Sequence, residues 1–218
     1  MRFDRIFFFG DSITLGCNDS KRLGWPGRIA RGLVHEERHI ASYNLGINGD
    51  TSLHIKARWR AEFEARIRDM VGLTVFAFGF NDASKPDGGD FQVELETSIE
   101  AATIILTEAN SVSDVLWIGP TPLDESANPL ITEFASWEMR NLDIARYDEA
   151  YANLALELGI DYLQLFPELI ESPRYQAALR ADDKVHPADD GYEMIAELIS
   201  KWDKWQIKTG THSMNAPS

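Results

Sequence analysis

Residues 6–16 read IFFFGDSITLG, an apolar run followed at once by small and polar residues. The run is apolar on both faces, which is typical of a strand in a parallel sheet that helices cover on both sides. In open α/β sheets, ligands bind in the crevice outside the carboxyl ends of the strands. Ser12, just past the end of this run, is therefore a candidate nucleophile.

Four more short apolar runs follow along the chain, and the segments between them show helical spacing. The runs are Ile40–Leu45, Leu73–Phe78, Val115–Ile118 and Tyr162–Phe166. Alternation of strands with helices predicts a doubly wound, three-layer α/β domain with right-handed crossovers.

Apolar residues at helical spacing predict four helices that face the core. The first is Trp25–His35. The other apolar stripes are Phe91, Leu95, Ile99, Ala102 and Leu106; Ile144, Tyr147, Tyr151, Leu154 and Leu158; and Tyr192, Ile195, Ile199 and Trp202. Asp90 is expected to cap the second helix, and Gly159 is expected to end the third.

The chain has no repeat, low-complexity segment or long linker. Residues 1–207 are therefore expected to form a single domain, and residues 208–218 a polar, frayed tail. With 218 residues, 44% of them hydrophobic, the chain can bury a core without a disulfide or a metal. Cys17 is the single cysteine, so an intramolecular disulfide is excluded. A small, partly buried side chain is expected there rather than a redox group.

Charge and hydropathy exclude several partners. The formal net charge of -14 repels phosphate backbones and anionic lipid headgroups, so neither nucleic acid nor a membrane surface is expected to bind. The apolar stretch near the N-terminus is too short for a signal peptide, and no window is long enough to span a bilayer. We therefore expect a cytoplasmic protein without a membrane anchor. The sequence specifies no oligomeric state.

Polar clusters follow three of the predicted strands, and a fourth precedes the last helix. They are Gly10–Ser12, Gly46–Thr51, Gly79–Asp82 and Asp183–Pro187. Parallel strands bring their carboxyl ends to one edge of a sheet, and the segment before the last helix can reach the same edge. The four clusters are therefore expected to form one site.

The residue types in these clusters fit acyl transfer. A serine hydroxyl such as that of Ser12 is a weak nucleophile until a neighbouring base takes its proton, and His186 can be that base. Asp183, three residues before His186, can orient the imidazole. Asp182, four residues before it, suits one helical face equally well. The backbone N–H groups of Ser12 and Gly49 and the side-chain amide of Asn81 can stabilise an oxyanion.

Each cluster alone also has a simpler structural interpretation. Gly-Asp-Ser is a common turn tripeptide, a glycine such as Gly49 often serves a turn with positive φ, and Asn81 can be a loop or cap residue. Asp183 and His186 could be half of a metal site, but no cluster with metal-ligand spacing is present. No metal or cofactor is expected, and the four clusters in this order favour catalysis.

The four clusters resemble the sequence blocks of the GDSL (SGNH) hydrolase family. The matching segments are Gly10–Thr14, Asn44–Thr51, Gly79–Asp82 and Asp183–Pro187, which span nearly the whole chain. By this resemblance the nucleophile is Ser12, the oxyanion residues are Ser12, Gly49 and Asn81, and the remaining triad members are Asp183 and His186. The family implies a flavodoxin-like fold with a five-stranded parallel sheet.

Two departures from the family pattern leave these groups in place. Asn48 stands where many members have serine, and Phe80 fills the variable position of the third block. Thr14 occupies the last glycine position of the Gly-x-Ser-x-Gly elbow, which argues against the α/β-hydrolase fold.

The resemblance implies a serine hydrolase, a lipase or esterase that cleaves small-molecule carboxylic esters through an acyl-enzyme on Ser12. Alternatives within the family are a thioesterase, a lysophospholipase or a carbohydrate deacetylase. An alternative of another class is a catalytically idle module that binds an acylated or glycosylated partner.

Specificity is expected from the stretch Thr121–Trp137, which has two prolines and little periodicity. Several aromatic residues are candidates for lining a pocket, although each is more often a core or surface residue. They are Trp25, Phe80, Trp117, Phe134 and Trp137. The remaining histidines have no matching partners in the sequence and are expected to be solvated: His35, His39, His54 and His212.

Overall fold

A computed structural model of the chain describes residues 3–33 and 40–211. The first half contains β1 (Arg5–Gly10), α1 (Ser12–Leu15), α2 (Gly24–Arg31), β2 (Ala41–Gly46), α3 (Ser52–Ile67), β3 (Gly72–Ala77), β4 (Lys85–Pro86) and α4 (Leu95–Asn110). The second half contains β5 (Asp114–Ile118), a 3-10 turn (Glu125–Ala127), β6 (Leu130–Ile131), β7 (Ser136–Glu138), α5 (Asn141–Leu158), β8 (Asp161–Leu163), α6 (Phe166–Glu171), α7 (Pro173–Arg180), α8 (Asp189–Lys201) and α9 (Asp203–Thr209).

The described residues form a parallel central sheet of five strands in the order β2-β1-β3-β5-β8. Gly10, the last residue of β1, pairs with Gly46 of β2 and with Ala77 of β3. The three strands therefore end level with one another. The polar residues that follow them leave the sheet at one edge, as the sequence predicts.

Helices cover both faces of this sheet, because the side chains of β1 alternate between two buried clusters. Phe7 and Phe9 pack with residues of α3, α4 and α5, whereas Ile6 and Phe8 pack with residues of α2, α7 and α8. This three-layer arrangement confirms the predicted fold class. None of the described helices has both the length and the apolar character needed to cross a bilayer.

The predicted strands lie within a residue of the observed bounds, except the last. β8 ends at Leu163, and Phe166 begins α6 instead of ending a strand. Gly159 ends α5 with φ 66°, as predicted. α9 extends to Thr209, two residues past the expected end of the domain at residue 207.

Asp90 does not cap α4, so that prediction was wrong. The helix begins at Leu95, and Phe91 lies before it. The backbone N–H groups of Gln92 and Val93 are hydrogen-bonded to carbonyl oxygens of the loop after β3, which keeps this segment out of the helix. Backbone hydrogen bonds to residues 8 and 11 positions earlier therefore override the helical spacing of the side chains.

Other helices were absent from the prediction or had different bounds. α3 was missed, although Ile55, Trp59 and Phe63 recur every fourth residue and are all buried. The short helices α6 and α7, and α9 after Trp202, were missed as well. α2 ends at Arg31, and the end of the predicted Trp25–His35 segment lies outside the described residues.

Candidate active site

Ser12 is the first residue of α1, directly after the turn that follows β1. Asp11 caps this short helix, because its Oδ1 accepts a hydrogen bond from the backbone N–H of Ile13 at 2.9 Å. Gly16 ends the helix with φ 88°, a left-handed conformation that favours glycine. A single helical turn therefore presents Ser12 at the carboxyl end of the central strand.

His186 lies between Ser12 and Asp183. Its Nε2 is 2.8 Å from Ser12 Oγ, and its Nδ1 is 2.7 Å from Asp183 Oδ2. The other carboxylate oxygen, Oδ1, accepts hydrogen bonds from the backbone N–H groups of Val185 (2.9 Å) and His186 (2.7 Å). The loop before α8 therefore holds an aspartate and a histidine in line with the serine.

Asp183 is ionised at neutral pH. Burial raises the pKa of its carboxyl group, but hydrogen bonds from the ring and backbone of His186 and from the backbone of Val185 outweigh this and lower it to about 2. An ionised Asp183 accepts a hydrogen bond from Nδ1–H of His186. The neutral ring then has an unprotonated Nε2, which can accept the hydroxyl hydrogen of Ser12.

Asn18, which the sequence analysis missed, also binds Asp183. Its Nδ2 donates a hydrogen bond to Asp183 Oδ2 at 2.9 Å. Tyr192 of α8 donates to the neighbouring carbonyl of Cys17 at 2.6 Å and so holds this loop. Asn18 has φ 63°, a conformation that asparagine tolerates better than most residues. No local pattern links Asn18 with Asp183, because they are 165 positions apart.

Gly49 and Asn81 line the same cleft as Ser12. Gly49 has φ 81°, and no atom lies within 4 Å of where a Cβ would stand, so its backbone borders open space. Asn81 donates one amide hydrogen to the carbonyl of Asp50 at 2.9 Å, which leaves its second amide hydrogen available. The backbone N–H of Ser12 is at the first position of α1, where no intrahelical acceptor exists.

A buried carboxylate connects the segments that contain Gly49 and Asn81. Asp82 is fully buried and accepts hydrogen bonds from the backbone N–H of Ser52 (2.9 Å), from the Ser52 hydroxyl and from the Ser98 hydroxyl (2.7 Å). Burial raises the pKa of Asp82. Asp82 therefore ties the loop after β3 to the start of α3 and to α4.

A cleft of about 450 Å³ opens beside Ser12. Its apolar lining includes Phe80, Leu130, Phe134, Trp137 and Met139, and its polar lining includes Ser84 and Gln92. Several of these residues belong to the expected specificity stretch 121–137, part of which forms a small antiparallel sheet in the order β4-β7-β6.

Two of the five aromatic candidates for a pocket lie elsewhere. Trp25 and Trp117 are buried in the core, on opposite sides of the sheet, because α2 and β5 point their apolar faces inward. Phe80, Phe134 and Trp137 line the cleft.

The structure also shows the surroundings of Asp182, Cys17 and His54. Asp182 is exposed. Cys17 is partly buried, as expected, and burial raises the pKa of its thiol. His54 is exposed, as expected, and it caps a helix. Its Nδ1 accepts a hydrogen bond from the backbone N–H of Thr51 at 3.1 Å, at the start of α3. The other unassigned histidines, His35, His39 and His212, lie outside the described residues.

Within residues 3–33 and 40–211, no group of three or more histidine, cysteine, aspartate or glutamate side chains is placed to hold a metal ion. A serine, a histidine and a carboxylate in one hydrogen-bonded line, beside donors for an oxyanion, is the arrangement that defines serine hydrolases.

Comparison with known proteins places this chain within that class. It belongs to the GDSL-like lipase/acylhydrolase family, whose model matches residues 8–194. The chain is 26% identical over 214 residues to an acetylxylan esterase from Geobacillus stearothermophilus, with 90% of this chain and 92% of that protein covered. The family prediction is confirmed, and the chain is a hydrolase of carboxylic esters.

Solved structures show the same fold. A lipase/acylhydrolase from Enterococcus faecalis superposes with a TM-score of 0.73 at 25% identity, covering 97% of each chain. The acetylxylan esterase from Geobacillus stearothermophilus superposes with a TM-score of 0.68 at 20% identity, covering 96% of this chain and 95% of that one. Two variants of that esterase are described as catalytic mutants: one replaces an aspartate, the other a histidine three positions later, by alanine.

Proposed function

We propose that this chain is a serine esterase that removes short acyl groups through an acyl-enzyme on Ser12. The observation that supports this best is the continuous line from Ser12 Oγ to His186 Nε2 (2.8 Å) and from His186 Nδ1 to Asp183 Oδ2 (2.7 Å). The spacing of three between Asp183 and His186 also matches the aspartate and histidine replaced in the two catalytic mutants of the acetylxylan esterase.

In the first step, Ser12 Oγ attacks the ester carbonyl carbon while its proton passes to His186 Nε2. The ionised Asp183 stabilises the imidazolium that forms. The carbonyl oxygen becomes an oxyanion, and three donors face it: the N–H groups of Ser12 and Gly49 and the free amide hydrogen of Asn81. Loss of one such donor costs about a hundredfold or more in turnover.

The intermediate then collapses. The bond between the carbonyl carbon and the alcohol oxygen breaks, and His186 gives its proton to that oxygen, so the alcohol leaves and the acyl group stays on Ser12. A water molecule then attacks the acyl carbon while His186 takes one of its protons. The bond to Ser12 Oγ breaks, Ser12 regains its proton, and the carboxylic acid is released.

Among the alternatives, short acyl groups on carbohydrate alcohols are supported best. The curated relative is an acetylxylan esterase and covers almost the whole chain. The cleft combines aromatic side chains with the polar residues Ser84 and Gln92, whereas a long fatty acyl chain would give the amide oxygen of Gln92 no hydrogen-bond donor. An esterase of acetylated carbohydrates is therefore favoured over a lipase, a lysophospholipase or a thioesterase.

The first test is the substitution Ser12→Ala. Hydrolysis of p-nitrophenyl acetate is expected to fall by roughly a thousandfold or more, because the nucleophile is gone while the other site groups remain. Ser111→Ala, which changes a serine at the end of α4, is the matched control and is expected to retain activity within about twofold.

Covalent labelling separates an enzyme from a binding module. A fluorophosphonate probe is expected to label the wild-type chain at Ser12, identified by mass spectrometry of peptides, and not to label Ser12→Ala. A folded wild-type chain without a label at Ser12 would contradict the proposal and favour a binding role.

A substrate panel then compares p-nitrophenyl esters of increasing chain length with acyl-coenzyme A thioesters and acetylated xylosides. The highest kcat/KM is expected for acetyl esters. A maximum with long acyl chains or with thioesters would overturn the proposed substrate class but leave the role of Ser12 intact.

A further inference from the structure

Gln92 lines the cleft next to Asn81 but takes no part in the proton transfers of ester hydrolysis. Its Nε2 lies 3.0 Å from the backbone carbonyl oxygen of Asn81 and 2.7 Å from Ser84 Oγ. Ser84 Oγ lies 2.7 Å from the same Asn81 carbonyl oxygen. The three groups therefore form a closed triangle of hydrogen bonds.

The direction of each bond in this triangle follows from chemistry. The carbonyl oxygen of Asn81 can only accept, so the hydroxyl hydrogen of Ser84 must be donated to it. Ser84 Oγ then accepts from Gln92, so Nε2 of Gln92 donates to both partners. A flipped amide would set oxygen against oxygen at Asn81, which excludes the opposite orientation.

The triangle directs the amide nitrogen of Gln92 toward Ser84 and Asn81, which leaves Oε1 as the acceptor that this cleft residue can offer to a ligand. Oε1 accepts no hydrogen bond from any side chain or backbone group in the described part of the chain, and it is accessible to solvent. An amide oxygen held rigidly by two bonds on its own nitrogen is a preorganised acceptor. This oxygen can accept a hydrogen bond from a hydroxyl group, whereas an alkyl chain has no hydrogen-bond donor.

We infer that Gln92 Oε1 accepts a hydrogen bond from a hydroxyl group of the bound ester and so determines specificity for hydroxylated substrates. This inference rests on the proposed function. Because the acetyl group of the proposed substrate has no hydroxyl, the donor belongs to the alcohol portion. Gln92 thus selects esters of polyhydroxylated alcohols, such as sugars, over esters of simple alcohols.

The aromatic lining of the cleft fits the same chemistry. Trp137 Nε1 donates a hydrogen bond to Thr132 Oγ1 at 3.2 Å, so the polar edge of the indole is occupied. Trp137 and Phe134 therefore contribute apolar surface to the cleft. A pyranose ring has apolar C–H faces and hydroxyl groups around its edge, so it can pack its face on aromatic rings while one hydroxyl reaches Gln92.

The test uses methyl xylopyranoside with one acetyl group, and a set of analogues in which each free ring hydroxyl is replaced by hydrogen in turn. For the wild-type enzyme, removal of one particular hydroxyl is expected to lower kcat/KM by about tenfold or more, because Oε1 is then left unpaired. In Gln92→Met, the parent sugar and that deoxy analogue are expected to react at rates within about twofold of each other.

Two further variants separate recognition from support of Asn81. Ser84→Ala removes one bond of the triangle but keeps Oε1, so it is expected to slow both sugars alike and to retain the preference for the hydroxyl. Gln92→Glu keeps an acceptor oxygen and loses both donors, so it is expected to retain part of the preference at a lower kcat. Fluorophosphonate labelling of Ser12 checks that each variant is folded.

The inference is overturned if the wild-type enzyme reacts equally with all deoxy analogues, or if Gln92→Met keeps the full preference for the parent sugar. Hydrolysis of p-nitrophenyl acetate with no reaction of any sugar ester overturns it as well. In each of these cases, labelling of Ser12 by the fluorophosphonate would still support the esterase mechanism. A wild-type chain that is not labelled at Ser12 contradicts the proposed function itself.

Discussion

Asp182 and Asp183 are neighbours in sequence with different surroundings. The Asp183 carboxylate accepts hydrogen bonds from His186, Val185 and Asn18, whereas Asp182 is exposed. Both spacings suit His186 in a helix, so helix geometry alone left two candidates, and only the family resemblance favoured Asp183. The loop before α8 is a tight turn instead, and the turn directs Asp183 toward the imidazole.

This difference predicts unequal effects of two matched substitutions. Asp183→Asn is expected to lower kcat for p-nitrophenyl acetate by roughly a thousandfold or more, because the amide no longer orients the imidazole tautomer or stabilises its positive charge. Asp182→Asn is expected to change kcat by less than about twofold. The reverse result would show that the wrong carboxylate was assigned.

Asp11 predicts a pH dependence of stability. Burial raises the pKa of its carboxyl group from 3.8 to about 6, only partly offset by the N–H of Ile13. Since the pKa in the folded state is higher than in the unfolded state, folding favours the protonated form, and the stability contribution falls as pH rises from about 4 through 6.

The substitution Asp11→Asn keeps the acceptor for Ile13 and removes the charge. At about pH 8 the variant is expected to have a higher free energy of unfolding than the wild type, by up to about 3 kcal/mol, and the difference is expected to shrink toward pH 4. Urea unfolding at both pH values measures this, with the exposed Asp69→Asn as control. A difference that does not change with pH would contradict the raised pKa of Asp11.

At the scale of elements, the segment from β6 to β7 forms one border of the cleft. Phe134 is 85% exposed and lines the cleft, while Ile131, on the same segment, is 77% exposed and does not. Thr132 holds the turn, because its Oγ1 accepts hydrogen bonds from the backbone N–H groups of Phe134 and Ala135. Phe134 is thus an exposed aromatic ring on an ordered turn.

Phe134→Ala is expected to raise KM for an acetylated xyloside by about three- to tenfold, with kcat little changed, since an aromatic contact contributes about 0.5–1.5 kcal/mol. Ile131→Ala, a matched loss of exposed apolar surface, is expected to leave both constants within about twofold. Equal effects of the two substitutions, measured by initial rates, would exclude a specific role for Phe134.

Elements differ in how well the sequence predicted them. The strands were found because runs such as Ile6–Phe9 are buried on both faces, a strictly local signal. The start of α4 was misplaced, because residues 92 and 93 form backbone hydrogen bonds with the loop after β3. α3 could have been predicted from the sequence as well, because Ile55, Trp59 and Phe63 follow a helical period.

At the scale of the whole molecule, Asp82 connects the parts of the site. Its hydrogen bond from Ser52 joins the loop of Asn81 to the N-terminus of α3, which follows Gly49. Its hydrogen bond from Ser98 joins the same loop to α4. These groups come from three separate segments of the chain. Asp82 is therefore expected to support both the fold and the alignment of Gly49 and Asn81, the two proposed oxyanion donors.

Asp82→Ala leaves those donors unpaired in the interior and is expected to lower the free energy of unfolding by about 3 kcal/mol or more. It is also expected to lower kcat. Asp82→Asn keeps one acceptor oxygen and is expected to cost less. Urea denaturation and p-nitrophenyl acetate turnover measure the two effects. A change below about 0.5 kcal/mol in Asp82→Ala would show that the network contributes little.

The sequence by itself determined the layered α/β architecture, the family, and the four segments that meet at the carboxyl edge of the sheet. Apolar periodicity and short motifs are properties of neighbouring residues, so they can be read without the fold. Only the tertiary structure showed the contact of Asp183 with His186, which the family resemblance had favoured over one from Asp182. It alone revealed that Asn18 binds Asp183 and that Gln92 binds Ser84 and Asn81 through its amide nitrogen. Asn18 and Asp183 are 165 positions apart. The turn at Asp183 and the loop at Gln92 have no periodicity that fixes the direction of a side chain, so these contacts exist only once the sheet and its helices have packed.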